Sequence, residues 1–461
     1  MSLTVVILAA GQGKRMRSSL PKVLHPIAAR PMLAHVLDLA GRLDPTRLCV
    51  VVGHGGEAVR AALADDPAAA TVEWVEQREQ LGTGHAVHEA MAQLPEAEGQ
   101  VLVLYGDVPL LPEAPVRELV AAGNALLTAR LPDPAGYGRI CRDASGAFTG
   151  VVEDRDATDA ERAIDEINTG VLAMDAALLR RYLPTVGNNN AQGEYYLPDV
   201  LPLAMADGHP VHTVCTDDPG AVLGINDRVQ LASAEREFQR RSAEALLRAG
   251  VTLADPSRFD VRGSLHCGED VFIDVGVVVE GKVTLGDGVR VGAHCVLRDA
   301  AVGAGSEVHP FSHLDGASVG EGCSVGPYAR LRPGTELADR ARVGNFVETK
   351  KAAIGTGSKI NHLSYVGDAT LGAGVNVGAG TITCNYDGVA KHHTTLGDGV
   401  FIGSNSTLVA PLAVEQGGFI AAGSTVTRDV GEDQLAVGRG RQRNIDGWRR
   451  PGAASKKTGG H

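Results

Sequence analysis

Between residues 271 and 431 the apolar positions keep a fixed beat. An aliphatic residue opens each unit of six residues, occasionally five, and Gly or another small residue usually follows. The openers are Leu285, Val291, Leu297, Val302, Val308, Leu314, Val319, Val325, Leu331, Leu337 and Val343, then Ile354, Ile360, Val366, Leu371 and Val377, then Leu396, Ile402, Leu408, Val414, Ile420 and Val426. A helical face needs apolar residues three and four apart, so this stretch is not helical. A short fixed period over such a length predicts a solenoid, and hexads predict a parallel β-helix. Each hexad then supplies one short strand and one corner, with its opener pointing inward onto the opener of the next coil. Small residues take the corners, where backbone angles are unusual. Each buried aliphatic contributes about 1.5–3 kcal/mol, against about 0.5–1 kcal/mol lost per strand glycine. Repetition therefore sustains the core. A Gly-rich disordered segment would not hold its aliphatics in register. Two interruptions, 344–351 and 379–395, are expected to loop out, because a β-helix core has no room for extra residues.

The first half has a different rhythm. Apolar runs at 3–8, 48–52, 72–75, 101–105 and 126–129 read as buried strands, and 31–43, 57–63, 84–94 and 113–122 as helices. Their alternation predicts βαβ units and a Rossmann-like, mostly parallel sheet covered on both faces. Ligands bind such sheets at the carboxyl ends of the strands. Residues 228–249 read as a charged amphipathic helix connecting the halves. The expected domains are 1–227, the helix 228–249, a β-helix over 250–446, and a tail 447–461 in which Trp448 packs and the last ten residues are disordered.

Composition narrows the function classes. The chain has 461 residues, 44% hydrophobic and 21% charged, with net charge -12 and no long basic run in its body, which argues against a nucleic-acid scaffold. Aromatics make up only 4%, as a solenoid of small residues would require. The seven cysteines are scattered with no CxxC pair, against a zinc site or disulfide framework and for a reducing, cytoplasmic setting. Cys295 and Cys323 share one hexad position and read as packing residues. No signal peptide or membrane-spanning run is expected.

Two strand ends carry candidate chemistry. The first reads Leu8-Ala9-Ala10-Gly11-Gln12-Gly13-Lys14-Arg15-Met16, with Pro21-Lys22 behind it. Its glycines let backbone N–H groups approach an anion, and Arg15 and Lys22 add positive charge. Alone, such a Gly pair is ordinarily a tight turn. The second reads Tyr105-Gly106-Asp107-Val108-Pro109, where Asp107 either holds Mg²⁺ or caps the next helix. Between them Gln80-Leu81-Gly82-Thr83-Gly84-His85 opens a helix whose free N–H groups can meet a ligand.

These motifs together resemble the sugar-nucleotide pyrophosphorylases. With Gly136-Tyr137-Gly138-Arg139-Ile140, Glu153, Glu166-Ile167-Asn168-Thr169-Gly170 and the NNNAQGEYY run at 188–196, the likeness narrows. Residues 3–451 resemble the bacterial bifunctional family that joins a UDP-N-acetylglucosamine pyrophosphorylase to a glucosamine-1-phosphate N-acetyltransferase. The resemblance implies that Leu8, Ala9, Ala10, Gly11, Gln77, Gly82, Thr83, Tyr105 and Gly106 hold the uridine nucleotide, that Arg15 and Lys22 face the phosphates catalytically, and that Gly138, Glu153 and Asn168 hold the sugar. It implies Mg²⁺ on Asp107 and Asn226. In-line attack of a sugar phosphate on UTP leaves the protein to position and neutralise, which suits these residue types. The loop departs from the commoner GKGTRM form at Gln12 and Lys14, and neither is given a catalytic role.

The same resemblance covers the solenoid's interruptions. It implies that Arg332 and Lys350 grip the phosphate of glucosamine 1-phosphate, that Tyr365, Asn376 and Asn385 orient the sugar, and that His362 is the general base. Ala379, Asn385, Tyr386, Ser404, Ala422 and Arg439 would line the acetyl-CoA groove. Asn361 stands where the family often has Gly. The family's β-helix is left-handed and homotrimeric, so both features are implied here, as are acetyl-CoA and UTP as co-substrates and no membrane insertion. The competing reading is a single-activity nucleotidyltransferase whose β-helix only assembles. The polar set at His362, Lys350, Arg332 and Asn385 separates the two, because an assembly module would not need it.

Overall fold

The computed structural model describes residues 2–11 and 13–451, so the expectations on Gln12 and on the last ten residues fall outside the described residues. The chain forms two compact units, Met1–Ser242 and Ala243–His461. The division between the units falls inside the long helix Arg228–Arg248. Ala243 and Leu246 belong to the apolar core of the second unit.

In the first unit a central sheet runs in the order His212–Thr216, Ala125–Arg130, Glu166–Asp175, Gln100–Tyr105, Leu3–Ala9, Arg47–Val52, Val72–Glu76. All neighbours are parallel except Glu166–Asp175, which is antiparallel to both strands beside it. A hairpin of Arg139–Arg142 and Phe148–Val152 is attached to it. The hydrophobic pattern did not reveal these last three strands or His212–Thr216, because polar residues and Gly170 interrupt their apolar runs. Along Leu3–Ala9 the side chains alternate between two cores: Leu3, Val5, Ile7 and Ala9 enter one, Val6 and Leu8 the other. Both faces are therefore covered, which a largely parallel sheet requires.

The second unit is a parallel β-helix. Each opener stacks on the opener one coil away: Val279 on Leu297, then Leu314 and Leu331. A second stack runs Val291, Val308, Val325, Val343, Ile360, Val377, Ile402, Ile420. A third runs from Leu285 through Val302, Val319 and Leu337 to Ile354. Every opener named above is at most 5% exposed. Cys295 and Cys323 are buried and free in the same core.

Two expectations are corrected. The interruption after Val343 does not loop out. Thr349 takes the opener's place between Leu331 and Val366, fully buried, with its hydroxyl 3.0 Å from that of Thr335. Thr383 does the same opposite Leu408, accepting from the Gly367 N–H at 2.8 Å and donating to its carbonyl at 3.0 Å. A threonine with a bonded hydroxyl packs like valine, and an aliphatic-only pattern passes over it. Among the described residues it is the stretch after Cys384 that leaves the coil, which resumes at Thr394–Leu396. Trp448 does not pack either. It is 66% exposed, because among the described residues no strand follows Leu435–Ala436 to cover it.

Candidate active sites

Strands Leu3–Ala9 and Gln100–Tyr105 lie side by side, with Leu8 opposite Tyr105. Their carboxyl ends open a cavity of about 210 Å³. Leu8, Ala9, Ala10, Gly11, Lys22, Gln77, Gly82, Thr83, Tyr105 and Asp107 line it, joined by Gln80 and Glu194. A wider opening of about 520 Å³ adjoins it across Gln77 and Gln80. The cavity's walls are locally determined. At Gly13, φ is 60° and a Cβ would stand 2.7 Å from Lys22 Cβ, so glycine is what lets Lys22 pass the loop. At Gly82, φ is 111° and a Cβ would meet the Tyr195 carbonyl at 2.6 Å. Tyr195 clamps that turn in both directions, donating to the Leu81 carbonyl and accepting from the Gly84 N–H, each at 2.8 Å. Buried Gln77 donates to the Gly82 carbonyl at 3.2 Å.

Lys22 ties the two strand ends together. Its ammonium bonds the Asp107 carboxylate and lies 3.1 Å from Asn226 Oδ1. Oxygens of Asp107 and Asn226 thus converge on one cation. That donor set fits Mg²⁺, which usually takes one or two protein carboxylates and completes its shell with water and substrate phosphates. Among the described residues no group of three His, Cys, Asp or Glu side chains could hold a metal. Arg15 is exposed on the 3-10 turn Lys14–Met16, with no hydrogen bond or ion pair among the described residues.

Gly138, Glu153 and Asn168 form a neighbouring group. Asn168 donates its backbone N–H to the Gly138 carbonyl at 2.8 Å, and a Cβ on Gly138 would stand 2.9 Å from Glu153 Oε1. Burial, with Asp199 and Asp156 nearby, raises the Glu153 carboxyl above its usual range. Tyr105 joins this group to the cavity: its ring stands where a Cβ on Gly170 would be, and Gly170 donates to Asn168 Oδ1. Burial, then the charges of Asp107 and Glu153, keep the Tyr105 hydroxyl un-ionised.

In the β-helix the repeat arranges the candidate residues in columns. Val343, Ile360, Val377, Ile402 and Ile420 stack, so the residues two places after them line one corner: Asn345, His362, Ala379, Ser404 and Ala422. His362 Nδ1 is 2.6 Å from Asn345 Oδ1. Arg439 ends the column, donating to the Ala422 carbonyl at 2.8 Å. Asn376 stacks outward between Lys359 and Phe401. Asn361 lies within the strand Lys359–His362 and is not among the residues of positive φ, so replacing the family's Gly costs no backbone strain.

A second column holds Arg332 and Lys350, each following a stacked opener. Arg332 donates to Glu348 at 2.8 Å. Asn385 is buried and donates to Asp368 at 2.5 Å, with the Tyr365 hydroxyl 3.4 Å away. Lys391, from the excursion after Cys384, presses on Lys350. Tyr386 is 60% exposed there. Among the described residues no hydrogen bond or ion pair joins His362 to this second group.

Asn345, Glu348, Asp368, Lys391 and Tyr195 stand beside these candidate residues and were given no role from the sequence, although Tyr195 lies in the 188–196 run and Asn345 and Glu348 in the first interruption. Asn345 was within reach, because it precedes His362 by one coil of the repeat. The others needed the fold.

Two family models match the chain: the MobA-like NTP transferase domain over residues 5–164 and the bacterial transferase hexapeptide (six repeats) over residues 265–299. The "Bifunctional protein GlmU" of Alkalilimnicola ehrlichii is 59% identical over 454 residues, 98% of this chain and 97% of that protein. Its counterpart in Marinobacter nauticus is 54% identical over 453 residues, 97% of this chain and 99% of that one. That of Bordetella parapertussis is 56% identical over 458 residues, 97% and 99% of the two chains.

Proposed function

The chain belongs to the bifunctional GlmU family, and from that premise we propose how its residues divide two reactions. It is a bifunctional enzyme that makes UDP-N-acetylglucosamine, with an acetyltransferase and a uridylyltransferase activity. Acetyl transfer to glucosamine 1-phosphate belongs to the β-helix, 250–446, and uridylyl transfer from UTP to the N-terminal part, 1–227 with the helix that follows.

For uridylyl transfer, Leu8 to Gly11, Gln77, Gly82 and Thr83 hold the nucleotide, and Gly138, Glu153 and Asn168 hold the sugar. A phosphate oxygen of N-acetylglucosamine 1-phosphate attacks the α-phosphorus of UTP, and pyrophosphate leaves. Lys22 and Arg15 neutralise the developing charge. Asp107 and Asn226 would hold Mg²⁺, which supplies further positive charge to the phosphates.

For acetyl transfer, Arg332 and Lys350 bind the sugar phosphate, and Tyr365, Asn376 and Asn385 orient the ring. Acetyl-CoA runs along Ala379, Ser404 and Ala422 to Arg439, beside Tyr386. His362 takes the proton of the substrate ammonium. The freed amine attacks the thioester carbonyl, the C–S bond breaks, and the thiolate takes up a proton. Two further features support a homotrimer with shared acetyl-transfer sites. Among the described residues, no hydrogen bond or ion pair links His362 to the phosphate-binding group of its own chain. Beside it runs an exposed stripe of Phe311, Tyr328 and Phe346, whose rings stack 5.0–5.2 Å apart, continued by exposed Leu363. Such a stripe suits an interface. A cytoplasmic location agrees with seven free cysteines and with the absence, among the described residues, of any helix long and apolar enough to cross a membrane.

The Asn345–His362 column, running into the Ala379–Ala422 corner, carries the acetyltransferase assignment. The test measures acetyl-CoA-dependent and UTP-dependent turnover separately, on the intact chain and on one ending near Ala249. The short chain should retain uridylyl transfer and lose acetylation. Acetylation by the soluble short chain would overturn the division.

A further inference from the structure

Glu235, on the helix Arg228–Arg248, reaches back to the segment that carries Lys22. Its Oε2 accepts the N–H of Ala28 at 2.7 Å. Ala28 and Ala29 are consecutive left-handed residues, φ 49° and 63°, at the tip of the hairpin that pairs Pro26 with Pro31 and Ile27 with Arg30. Such a two-residue turn asks for Gly, Asn or Asp at both places. Alanine's Cβ disfavours it. Strain of that kind persists only where the surroundings over-determine it.

The surroundings come from the helix. Ala28 is 4% exposed, so its N–H needs a protein acceptor, and a carboxylate makes a charge-assisted one. Gln239 steadies the other Glu235 oxygen at 2.9 Å. Ile27, Ala28, Met32 and Ile225 form an apolar cluster of their own, closed by Leu231, Ala234 and Phe238 of the helix. At the helix start the Arg228 guanidinium lies 3.3 Å from His25 Nδ1 and 3.4 Å from the Met16 carbonyl. The helix therefore grips the chain on both sides of Lys22: at Met16, next to Arg15, and at His25 and Ala28. Between these grips Pro21 and Pro26 stiffen the backbone. Lys22 projects from this braced segment to Asp107 and Asn226.

We propose that Glu235 is a positioning residue for uridylyl transfer: by holding the Ala28–Ala29 turn it fixes where Lys22 meets the phosphates. This rests on the assignment of Lys22 above. The test uses the full chain with Glu235→Ala, Glu235→Gln, and Glu235→Ala combined with Ala28→Gly and Ala29→Gly. Acetyl transfer by the same preparation reports on the amount of intact enzyme. Glu235→Ala should lower kcat for uridylyl transfer about tenfold, since small displacements of a positioned group are costly, with acetylation unchanged. Glu235→Gln keeps an accepting oxygen and should stay within about threefold of the parent. The two glycines accept the left-handed turn unaided and should recover most of the Glu235→Ala loss.

Amide exchange over residues 23–33 reads the clamp directly, and should quicken in Glu235→Ala but not in the parent. Turnover within about twofold of the parent in a folded Glu235→Ala chain would overturn the proposal, as would unchanged exchange or a loss the glycines do not recover. Lys22→Met, measured alongside, separates the two layers. If it leaves uridylyl transfer intact, the Lys22 assignment has failed; if it abolishes transfer while Glu235→Ala stays within about twofold of the parent, only the clamp has.

Discussion

His362 Nδ1 lies 2.6 Å from the carboxamide oxygen of Asn345, its register partner one coil earlier. A carboxamide oxygen only accepts, so Nδ1 donates to it, and the neutral ring then carries its lone pair on Nε2. Asn345 thereby sets the tautomer that a general base requires. Asn345→Leu removes the acceptor and should slow acetyl transfer about tenfold to a hundredfold, while His362→Ala should cost about 10²–10⁴-fold. Uridylyl transfer should be unchanged in both. The check is kcat for each reaction on one preparation. If His362→Gln retains substantial acetylation, the imidazole is not the base.

Lys22 is held by an ion pair to Asp107 and a hydrogen bond to Asn226, and on the proposed assignment uridylyl transfer alone should depend on this group. Asp107→Asn keeps the shape and loses a charge on the cation, so uridylyl transfer should fall below detection with acetylation intact. Chelation by EDTA should do the same to the parent, reversibly on adding Mg²⁺. Near-normal uridylyl transfer by both Asp107→Asn and Asp107→Ala would remove Asp107 from the metal site.

Lys350 should show an unusual alkaline limit. Contact with the Lys391 ammonium, then its charge and that of Arg332, hold the Lys350 amine below the ordinary lysine range. For a base, a lowered pKa means that the cation is lost sooner as pH rises. Its hold on a phosphate then fails at lower pH than an ordinary lysine's would. KM for glucosamine 1-phosphate should therefore climb on the alkaline side. Lys391→Ala removes the largest cause and should move that limb to higher pH. A limb that stays in place or moves down counts against the coupling.

The stripe of Phe311, Tyr328, Phe346 and Leu363 offers a direct test of assembly. Tyr328→Asp combined with Phe346→Asp places charge in the proposed apolar interface; on that proposal the parent should be a trimer and the variant a monomer by light scattering, with loss of acetylation. Uridylyl transfer should survive. A monomer that still acetylates would refute the shared-site reading.

The β-helix was legible because its period is short and its openers aliphatic. The N-terminal strands were legible where apolar residues run unbroken, as in Leu3–Ala9, and illegible where function intrudes. Glu166–Asp175 carries Asn168, Thr169 and Gly170 through its middle, so its apolar residues never form a clean run. Its antiparallel direction rests on pairings with distant strands that no local pattern encodes. Thr349 and Thr383 were missed because a hydroxyl that bonds within the core looks polar in one dimension. The motif residues around the nucleotide cavity were found from spacing and resemblance. Their supports, Tyr195 and Glu235, were not, because each acts across a long stretch of chain through a backbone atom.

The stacking of openers makes the β-helix a modular screw in which length and azimuth are separately adjustable. Insert one whole coil between Val279 and Val296, and every later residue keeps its face and simply moves further along the axis. Delete a single hexad at the same place, and every later side chain turns to the next face while the core stays equally apolar. The core cannot sense that change, and neither can the acetyl-transfer group: Arg332, Lys350, His362 and Arg439 all lie after the cut, so they turn together and keep their mutual register. Both a whole-coil insertion and a hexad deletion at that place should therefore keep acetylation and melting temperature close to the parent's.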